Sequence, residues 1–411
     1  MKSICIENLD VVFGQHPEKA LTLLDLGKTR QEIIDETGLV VGVNNVSIDV
    51  NEGEICVLMG LSGSGKSSLL RAVNGLNTIT RGSLKIKNDD TNVDLATCSE
   101  TELRDLRIQR ISMVFQKFAL MPWLSVVDNV AFGLEMQGVT KTERRQCAQE
   151  KLDMVGLGEW ANKLPHELSG GMQQRVGLAR AFAMDSDILL MDEPFSALDP
   201  LIRSQLQDEL LDLQKKLNKT IIFVSHDLDE ALKLGSRIAI MESGKLIQYS
   251  KPEDIILNPE TQYVKDFVAH TNPLNVLCGR SLMNSAHDLK LEGNLVQICE
   301  REDIWLEKTV DSWDVYGKHG YDVVEWSPET DHKIFNTNTI VITTPDIAMR
   351  DAIDIRYQTE HPIVLVEDNR VVGTLNDHDF YHALLGKYND ITDEPERDIN
   401  LCKTNKKVKA A

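Results

Sequence analysis

The sequence predicts an α/β domain built on a mostly parallel sheet, followed by a smaller α+β domain. Two observations set the class of the first. Ile188-Leu189-Leu190-Met191 and Thr220-Ile221-Ile222-Phe223-Val224 are continuous apolar runs of strand length. Strands of this kind are buried on both faces, as in parallel sheets covered by helices. They alternate with helical patterns such as Arg203–Asn218, and alternation of strand and helix defines an α/β fold. A third observation sets the domain number. The chain has 411 residues, more than one ordinary domain, and its character changes near Asn272-Pro273. The expected division is residues 1–270 and 271–389, with a disordered tail over 390–411.

In chain order, residues 1–13 read as a strand ending Val11-Val12-Phe13. Residues 16–38 form an insertion. Pro17–Gly27 has helical apolar spacing and ends at glycine, and Thr29–Gly38 repeats that design, which predicts two short amphipathic helices. Val46–Val50 alternates as a strand. Glu54–Met59 is an apolar strand, and a helix begins at Ser68. Residues 83–87 alternate again, Glu100–Arg110 is a charged helix, and Ile111–Gln116 is a strand. Helical patterns fill Val126 to about Ala183, which predicts a helical subdomain. Arg237–Met241 is a further buried strand. Past Asn272 no period stands out, and Trp305, Trp313 and Trp326 fall in this stretch. Order returns over 344–386: helix Asp346–Tyr357, strand Ile363–Glu367, turn Asp368-Asn369, strand Val371–Leu375 and helix His378–Leu385.

Composition narrows the function. Hydrophobic residues make up 42% of the chain, enough for a real core, while 44 Lys+Arg against 64 Asp+Glu leave a net charge of -20. Nucleic acid as the main partner demands a basic surface, so it is not expected. Seven cysteines are scattered without a Cys-x-x-Cys pair, which suits a reducing compartment. No signal-peptide pattern opens the chain, and no segment approaches the roughly 18–20 apolar residues of a membrane span. The expectation is a cytoplasmic protein that does not itself cross a bilayer.

Between the strand at Glu54–Met59 and the helix at Ser68 lies Gly60-Leu61-Ser62-Gly63-Ser64-Gly65-Lys66-Ser67. Glycines let the backbone curl so that N–H groups point at phosphate oxygens, and a helix N-terminus adds a favourable dipole. Lys66 is placed to neutralise β- and γ-phosphates and Ser67 to hold Mg²⁺. Asp192 and Glu193 end a buried strand, where ligands bind in open parallel sheets. Asp192 would help hold Mg²⁺, and Glu193 would polarise an attacking water. His226 follows another strand and could reach the γ-phosphate. Gln116 follows a third and could sense Mg²⁺ or position water. Alone, each is an ordinary surface or core residue; together with the phosphate loop they point to one site. Ser169-Gly170-Gly171, just before a helical stretch, is a second anion-binding helix start.

In order, the phosphate loop, Gln116, Leu168–Arg175, Asp192-Glu193, Ser196–Asp199 and His226 resemble the ATP-binding subunit of an ABC transporter over about residues 1–270. The resemblance implies ATP and Mg²⁺ as cofactors. It implies a head-to-tail dimer, with ATP between the phosphate loop of one copy and Ser169-Gly170-Gly171 of the other. Gly60, Ser62, Gly63, Ser64, Gly65, Lys66, Ser67, Ser68, Gln173 and Asp199 are then nucleotide-site residues, with Ser67, Gln116 and Asp192 around the metal. Glu193, His226 and Gln116 carry the chemistry. Phe13 either stacks on adenine or is a core residue. Phe118–Trp123 either packs internally or helps receive a transmembrane permease subunit.

The 16–38 insertion and Phe115–Pro122 resemble ATPases of glycine betaine/proline-type importers. Such importers carry glycine betaine, choline, carnitine, proline betaine or trimethylamine N-oxide, delivered by a separate substrate-binding protein. This implies a peripheral subunit on the cytoplasmic face of the membrane. Another small polar solute such as an amino acid, or a soluble ABC ATPase outside transport, are the alternatives. Pro345–Leu385 resembles a CBS module, a unit that often binds adenosine nucleotides through Thr-x-x-Asp. Here the stretch is Asn376-Asp377-His378-Asp379, with the Asp but not the Thr, so the module is either regulatory or a structural remnant. Residues 274–335 would be a first such module, although they show no motif.

Overall fold

Strands that are apolar on both faces must be covered on both, and the computed structural model shows how. The structure describes residues 1–384 other than 90, 270, 273, 275, 310, 311 and 331–333. The tail expected over 390–411 lies outside the described residues. The chain divides into two units, Met1–Thr271 and the residues from Asn272 onward.

The first unit opens with β1 (Lys2–Phe13), α1 (Glu18–Asp25), α2 (Arg30–Thr37), β2 (Val40–Asn51), β3 (Ile55–Met59) and α3 (Lys66–Val73). It continues with β4 (Arg81–Asn88), β5 (Thr91–Asp94), α4 (Glu100–Gln109), β6 (Ile111–Val114), α5 (Val126–Met136), α6 (Lys141–Met154) and α7 (Gly170–Ala183). It closes with β7 (Ile188–Asp192), α8 (Pro200–Leu217), β8 (Thr220–Val224), α9 (Leu228–Leu234), β9 (Arg237–Glu242), β10 (Lys245–Ser250), α10 (Pro252–Leu257) and α11 (Gln262–Val268).

β3, β7 and β8 are buried at every position. They occupy the middle of a six-stranded sheet of order β10-β9-β3-β8-β7-β6, in which only β10 is antiparallel. Register then decides where the polar residues emerge. Leu58 and Asp192 are both partners of Val224, and Val114 is the partner of Met191. Gly60, Gln116, Glu193 and His226 therefore leave the sheet at one carboxyl edge, where open α/β sheets bind ligands. A second, antiparallel sheet of order β2-β1-β4-β5 shares a core with α3 and the first sheet. Fully burying each Leu or Ile of that core contributes about 1.5–3 kcal/mol.

The insertion forms two helices for local reasons. Thr29 caps α2 in a reciprocal box with Glu32, and Gly38 ends it in the left-handed region at φ 70°. Ala20 and Ile33 then pack on Val12, Leu39 and Val41 in a small core of their own. The helical stretch from Val126 is three helices, each started by a Ser or Thr whose side chain accepts a backbone N–H: Ser125, Thr140 and Ser169.

The second unit contains α12 (Gly279–Leu282), β11 (Asn284–Ser285), β12 (Leu291–Glu292), β13 (Leu295–Cys299), β14 (Ile304–Lys308), β15 (Trp313–Tyr316) and β16 (Asp322–Glu325). It ends with β17 (Thr339–Thr343), α13 (Met349–Thr359), β18 (Ile363–Glu367), β19 (Arg370–Leu375) and α14 (Asp377–Leu384). A mixed sheet has the order β11-β19-β18-β17-β16, and a separate antiparallel sheet has the order β12-β13-β14-β15. The segment α13-β18-β19-α14 has the helix, strand, turn, strand, helix order read from the sequence. Its turn residues Asp368 and Asn369 have φ of 49° and 61°, a two-residue hairpin.

Residues 274–335 differ from a first copy of that order. Among the described residues of that stretch the α-helix is the single turn α12, and the rest is short strands, 3-10 turns and loops. The physical reason no period was legible is length: strands of two to five residues with half-exposed faces offer too few positions for alternation. Asp379 has a structural occupation. It is buried, and it accepts Asn284 Nδ2 on both oxygens at 3.1 and 3.0 Å and the Asn376 N–H at 2.7 Å. Burial holds its carboxyl above the usual range. Among the described residues no helix is long and apolar enough to cross a membrane.

Candidate functional site

The phosphate loop is shaped by residues that only glycine can supply. Gly60, Gly63 and Gly65 have φ of 140°, 78° and 105°. A Cβ on Gly60 would run into the Met241 carbonyl, and one on Gly65 into the Gly42 carbonyl. The loop's own carbonyls are held by donors. Lys66 Nζ donates to Gly60 O at 2.8 Å and Leu61 O at 3.0 Å. The Gly244 N–H donates to Ser64 O at 2.9 Å. Across a planar peptide, holding the Ser64 carbonyl turns the Gly65 N–H the opposite way. Gly65 starts α3 with no side-chain cap, so the first-turn N–H groups lack the partner most helices provide. Ser64 Oγ is buried without a partner. Burial holds the Lys66 ammonium below its usual range, opposed by Glu193 and Asp192. Orphaned donors and a desolvated cation around a glycine cradle fit a polyphosphate.

Ser67 Oγ donates to Asp192 Oδ1 at 2.7 Å, and Arg71 Nη2 lies 3.3 Å from Asp192 Oδ2. Asp192 is 1% exposed. A hydroxyl and a carboxylate are oxygen donors suited to Mg²⁺. Among the described residues no group of three or more His, Cys, Asp or Glu could hold a metal. The donor set therefore fits a cation shared with phosphate oxygens rather than a protein-only cage.

Glu193 is held at its backbone and offered at its carboxylate. Its φ of 49° is uncommon for a glutamate. Its N–H donates to Val224 O at 3.1 Å. Its carbonyl accepts Gln174 Nε2 at 3.1 Å and Ser196 Oγ at 3.0 Å. Its carboxylate accepts Gln116 Nε2 at 3.1 Å and lies 3.6 Å from His226 Nδ1. Gln116, Glu193 and His226 thus form one cluster, while Ser67 and Asp192 form a second pair. Gln116, also expected beside the metal, makes its bond to Glu193.

Ser169, Gly170 and Gly171 start α7. Ser169 Oγ accepts the Met172 N–H at 3.4 Å, and Gly170 is exposed. No hydrogen bond among the described residues joins them to the phosphate loop of the same chain. Gln173, expected at the nucleotide, donates its amide within its own chain to Pro165 O at 3.0 Å and Leu168 O at 3.1 Å, anchoring the preceding loop. Asp199 caps α8 by accepting the Ile202 N–H at 3.0 Å. Ser62 is exposed at the loop tip. Phe13 is not a core residue, being 39% exposed. A side chain on Gly42 would meet the Phe13 ring and Ser68, so the ring lies on the glycine beside the start of α3. Arg180 donates to the carbonyls of Phe118 and Ala119, so Phe118–Trp123 is tied down internally, yet Trp123 is 75% exposed.

Several residues around the site escaped the sequence reading. Gln174, 1% exposed, joins α7 to the Glu193 carbonyl and to the Ala197 N–H. Glu230 on α9 accepts the Ser225 hydroxyl at 2.5 Å and Gln207 Nε2 at 3.0 Å, and burial pushes its carboxyl up. Tyr263 Oη accepts the Leu61 N–H at 3.3 Å, and Arg30 Nη1 donates to Gly63 O at 2.7 Å. Only Gln174 carried a signal, through its place within Leu168–Arg175.

With this geometry established, the family is clear. The profile of the ABC transporter family matches residues 43–196. A solved dimeric ATP-binding cassette, MJ0796 in a post-hydrolysis state bound to ADP and Pi, is 30% identical with a TM-score of 0.53 and covers 61% of this chain and 98% of its own. The chain belongs to the ATP-binding subunits of ABC transporters. Its relatives within them are specific. It is 52% identical over 262 residues to the glycine betaine/proline betaine transport ATP-binding protein ProV of Escherichia coli, 64% of each chain. It is 49% identical to the glycine betaine transport ATP-binding protein OpuAA of Bacillus subtilis, over 70% of this chain and 68% of that one. It is 43% identical to the trimethylamine N-oxide transport system ATP-binding protein TmoW of Pelagibacter ubique, over 74% and 89%. The chain thus spans a little under two thirds of the ProV length that it matches.

Proposed function

We propose that the chain binds and hydrolyses ATP to energise import of a quaternary ammonium or methylated amine compound. The observation that carries this is the Gln116–Glu193–His226 cluster on the same sheet edge as the uncapped start of α3. Lys66 and the α3 N–H groups bind the phosphates. Phe13, seated on Gly42, stacks on adenine. Ser67 and Asp192 would hold Mg²⁺, which when bound neutralises phosphate charge. Glu193 accepts a hydrogen bond from water and aims it in line at the γ-phosphate. His226 steadies that phosphate, and Gln116 holds the Glu193 carboxylate. Catalysis is thus positioning and electrostatics.

Among the described residues no hydrogen bond joins Ser169–Gly171 to the phosphate loop of its own chain, and a second copy as partner would let each loop meet the exposed helix start of the other. Exposed Trp123 on the loop after Gln116 supports docking to a transmembrane permease subunit, since an exposed aromatic on an apolar loop marks an interaction surface. On this reading the chain is a peripheral subunit on the cytoplasmic face, with a substrate-binding protein engaged only through the permease. The transport systems to which its relatives belong support the solute class. The second unit serves as a CBS-like regulatory or dimer-stabilising element, with Asp379 already occupied by Asn284.

The test uses the complex in lipid vesicles with a panel of glycine betaine, choline, carnitine, trimethylamine N-oxide and histidine. Stimulation of ATPase activity by one methylated amine is expected; stimulation by histidine alone would overturn the solute class. Glu193→Gln should keep ATP binding and lower turnover by about 10²–10⁴-fold. Unchanged turnover removes Glu193 from this role.

A further inference from the structure

The insertion is the part of the first unit that the reaction above does not use, yet it reaches the phosphate loop. Arg30 is the first residue of α2, placed there by the Thr29–Glu32 capping box. Its Nη1 donates to Gly63 O at 2.7 Å, across 33 residues of sequence. Its Nε is buried without a hydrogen-bond partner. Burial pulls the guanidinium below its usual range, and among the described residues no carboxylate offsets that shift. Lys28, two residues earlier, pairs with Glu36 at 2.6 Å. Lys66 has Glu193 and Asp192 opposing its desolvation. A half-buried cation without a counter-charge is costly. It is retained where an anion completes the site, and the loop that Arg30 grips is built for polyphosphate.

The grip has a mechanical consequence as well. Gly63 has φ 78°, and a Cβ there would meet open space, so neighbouring atoms do not confine the loop tip on that side. Arg30 holds the Gly63 carbonyl while Tyr263 Oη takes the Leu61 N–H from another element. The tip, with its Leu61–Ser64 turn bond of 3.1 Å, is therefore fixed from outside the sheet core.

We infer that the helical insertion is a working part of the nucleotide site: Arg30 is a positioning residue that holds the phosphate-loop tip through Gly63 and adds a positive charge favouring nucleotides in proportion to their phosphate number. This rests on the ATP-binding reading above. Loss of Arg30 weakens ATP more than ADP, and ADP more than AMP. A contact that only shapes the loop would be replaced as well by Arg30→Gln, which can still donate to the Gly63 carbonyl, as by Arg30→Lys.

The experiment measures equilibrium binding of MgATP, MgADP and AMP to the full chain in a Glu193→Gln background, so that hydrolysis does not intervene. Arg30→Ala is expected to weaken MgATP about tenfold, as for loss of a charged hydrogen bond, with a smaller loss for MgADP and the smallest for AMP. Arg30→Lys, which keeps the charge, should recover part of the MgATP affinity, and Arg30→Gln should not. Lys28→Ala, which removes a paired charge from the same segment, should leave all three affinities unchanged. Equal MgATP affinity in Arg30→Ala, or an equal loss for all three nucleotides, overturns the inference while leaving the ATP-binding reading intact. Failure of the chain with Arg30 present to bind MgATP overturns both.

Discussion

Two helix starts, one in each unit, show how the same local chemistry ends in a site or in plain structure. α3 follows Gly65, which is in the left-handed region and provides no side-chain cap. α14 follows Asn376, whose N–H is taken by Asp379 three residues on, and Asn284 occupies both oxygens of the same carboxylate. Both starts have the dipole and the free N–H groups of any helix. At α3 the protein leaves them open and surrounds them with a buried lysine, an unpartnered Ser64 hydroxyl and the Arg30 guanidinium. At α14 its own acid takes the Asn376 N–H, and Asn284 fills the rest of that carboxylate. A ligand gains most where the chain has declined to satisfy itself.

That contrast can be broken most directly at Gly65. Gly65→Ala puts a Cβ against the Gly42 carbonyl at φ 105°. The carbonyl that it meets is backbone and cannot swing aside, so the loop must shift, and nucleotide binding should fall by about 100-fold or more, as for the loss of several kcal/mol of strain-free contact. Retained affinity for MgATP would show that loop geometry is not what makes this helix start a site.

A smaller effect is expected from Phe13→Ala. Removing one stacked ring should raise the KM for ATP by about 3–10-fold with little change in kcat, while Phe13→Trp keeps KM low. An unchanged KM in the alanine variant assigns the ring to packing on Gly42 alone.

The closed start predicts a change in stability rather than binding. Asp379→Ala leaves Asn284 Nδ2 and the Asn376 N–H without acceptors and should destabilise the second unit by about 1–3 kcal/mol. Its pH dependence has a definite sign. Because burial raises the folded pKa of Asp379, its protonated form is favoured in the fold. The group's contribution is then fully present below the ordinary carboxyl range and declines as pH rises through the raised folded value. Thermal melts of the full chain should show the widest gap between wild type and variant at low pH, narrowing as pH rises. A gap that widens with pH would mean the carboxylate, not the acid, is the stabilising form. ATP turnover should be unaffected.

Much of the first unit was legible because its signals are local. Ile188–Met191 and Thr220–Val224 read as buried strands from composition alone, and the glycines of the loop state their backbone requirement at fixed spacing. The boundary near Asn272 showed as a change of pattern. The four strands β12 to β15 were not legible, since none exceeds five residues and their faces are half-exposed. Adjacent helix residues point about 100° apart, which gives Gln173 and Gln174 different partners within the chain. Gln174 turned inward to Glu193, and Gln173 turned to the loop behind.

By itself, then, the sequence determined the strand and helix types of the first unit, the phosphate loop, and the order of acid, glutamine and histidine along the chain. Short-range sterics and hydrophobic period carry those. Only the tertiary structure decided which of these residues meet. Glu193 joins Gln116 across 77 residues, Ser67 joins Asp192 across 125, and Arg30 reaches Gly63 from an insertion that no local pattern ties to the phosphate loop. Such contacts depend on strand order and register, and those are set by which apolar faces can be buried together, a property of the whole chain that no local window contains.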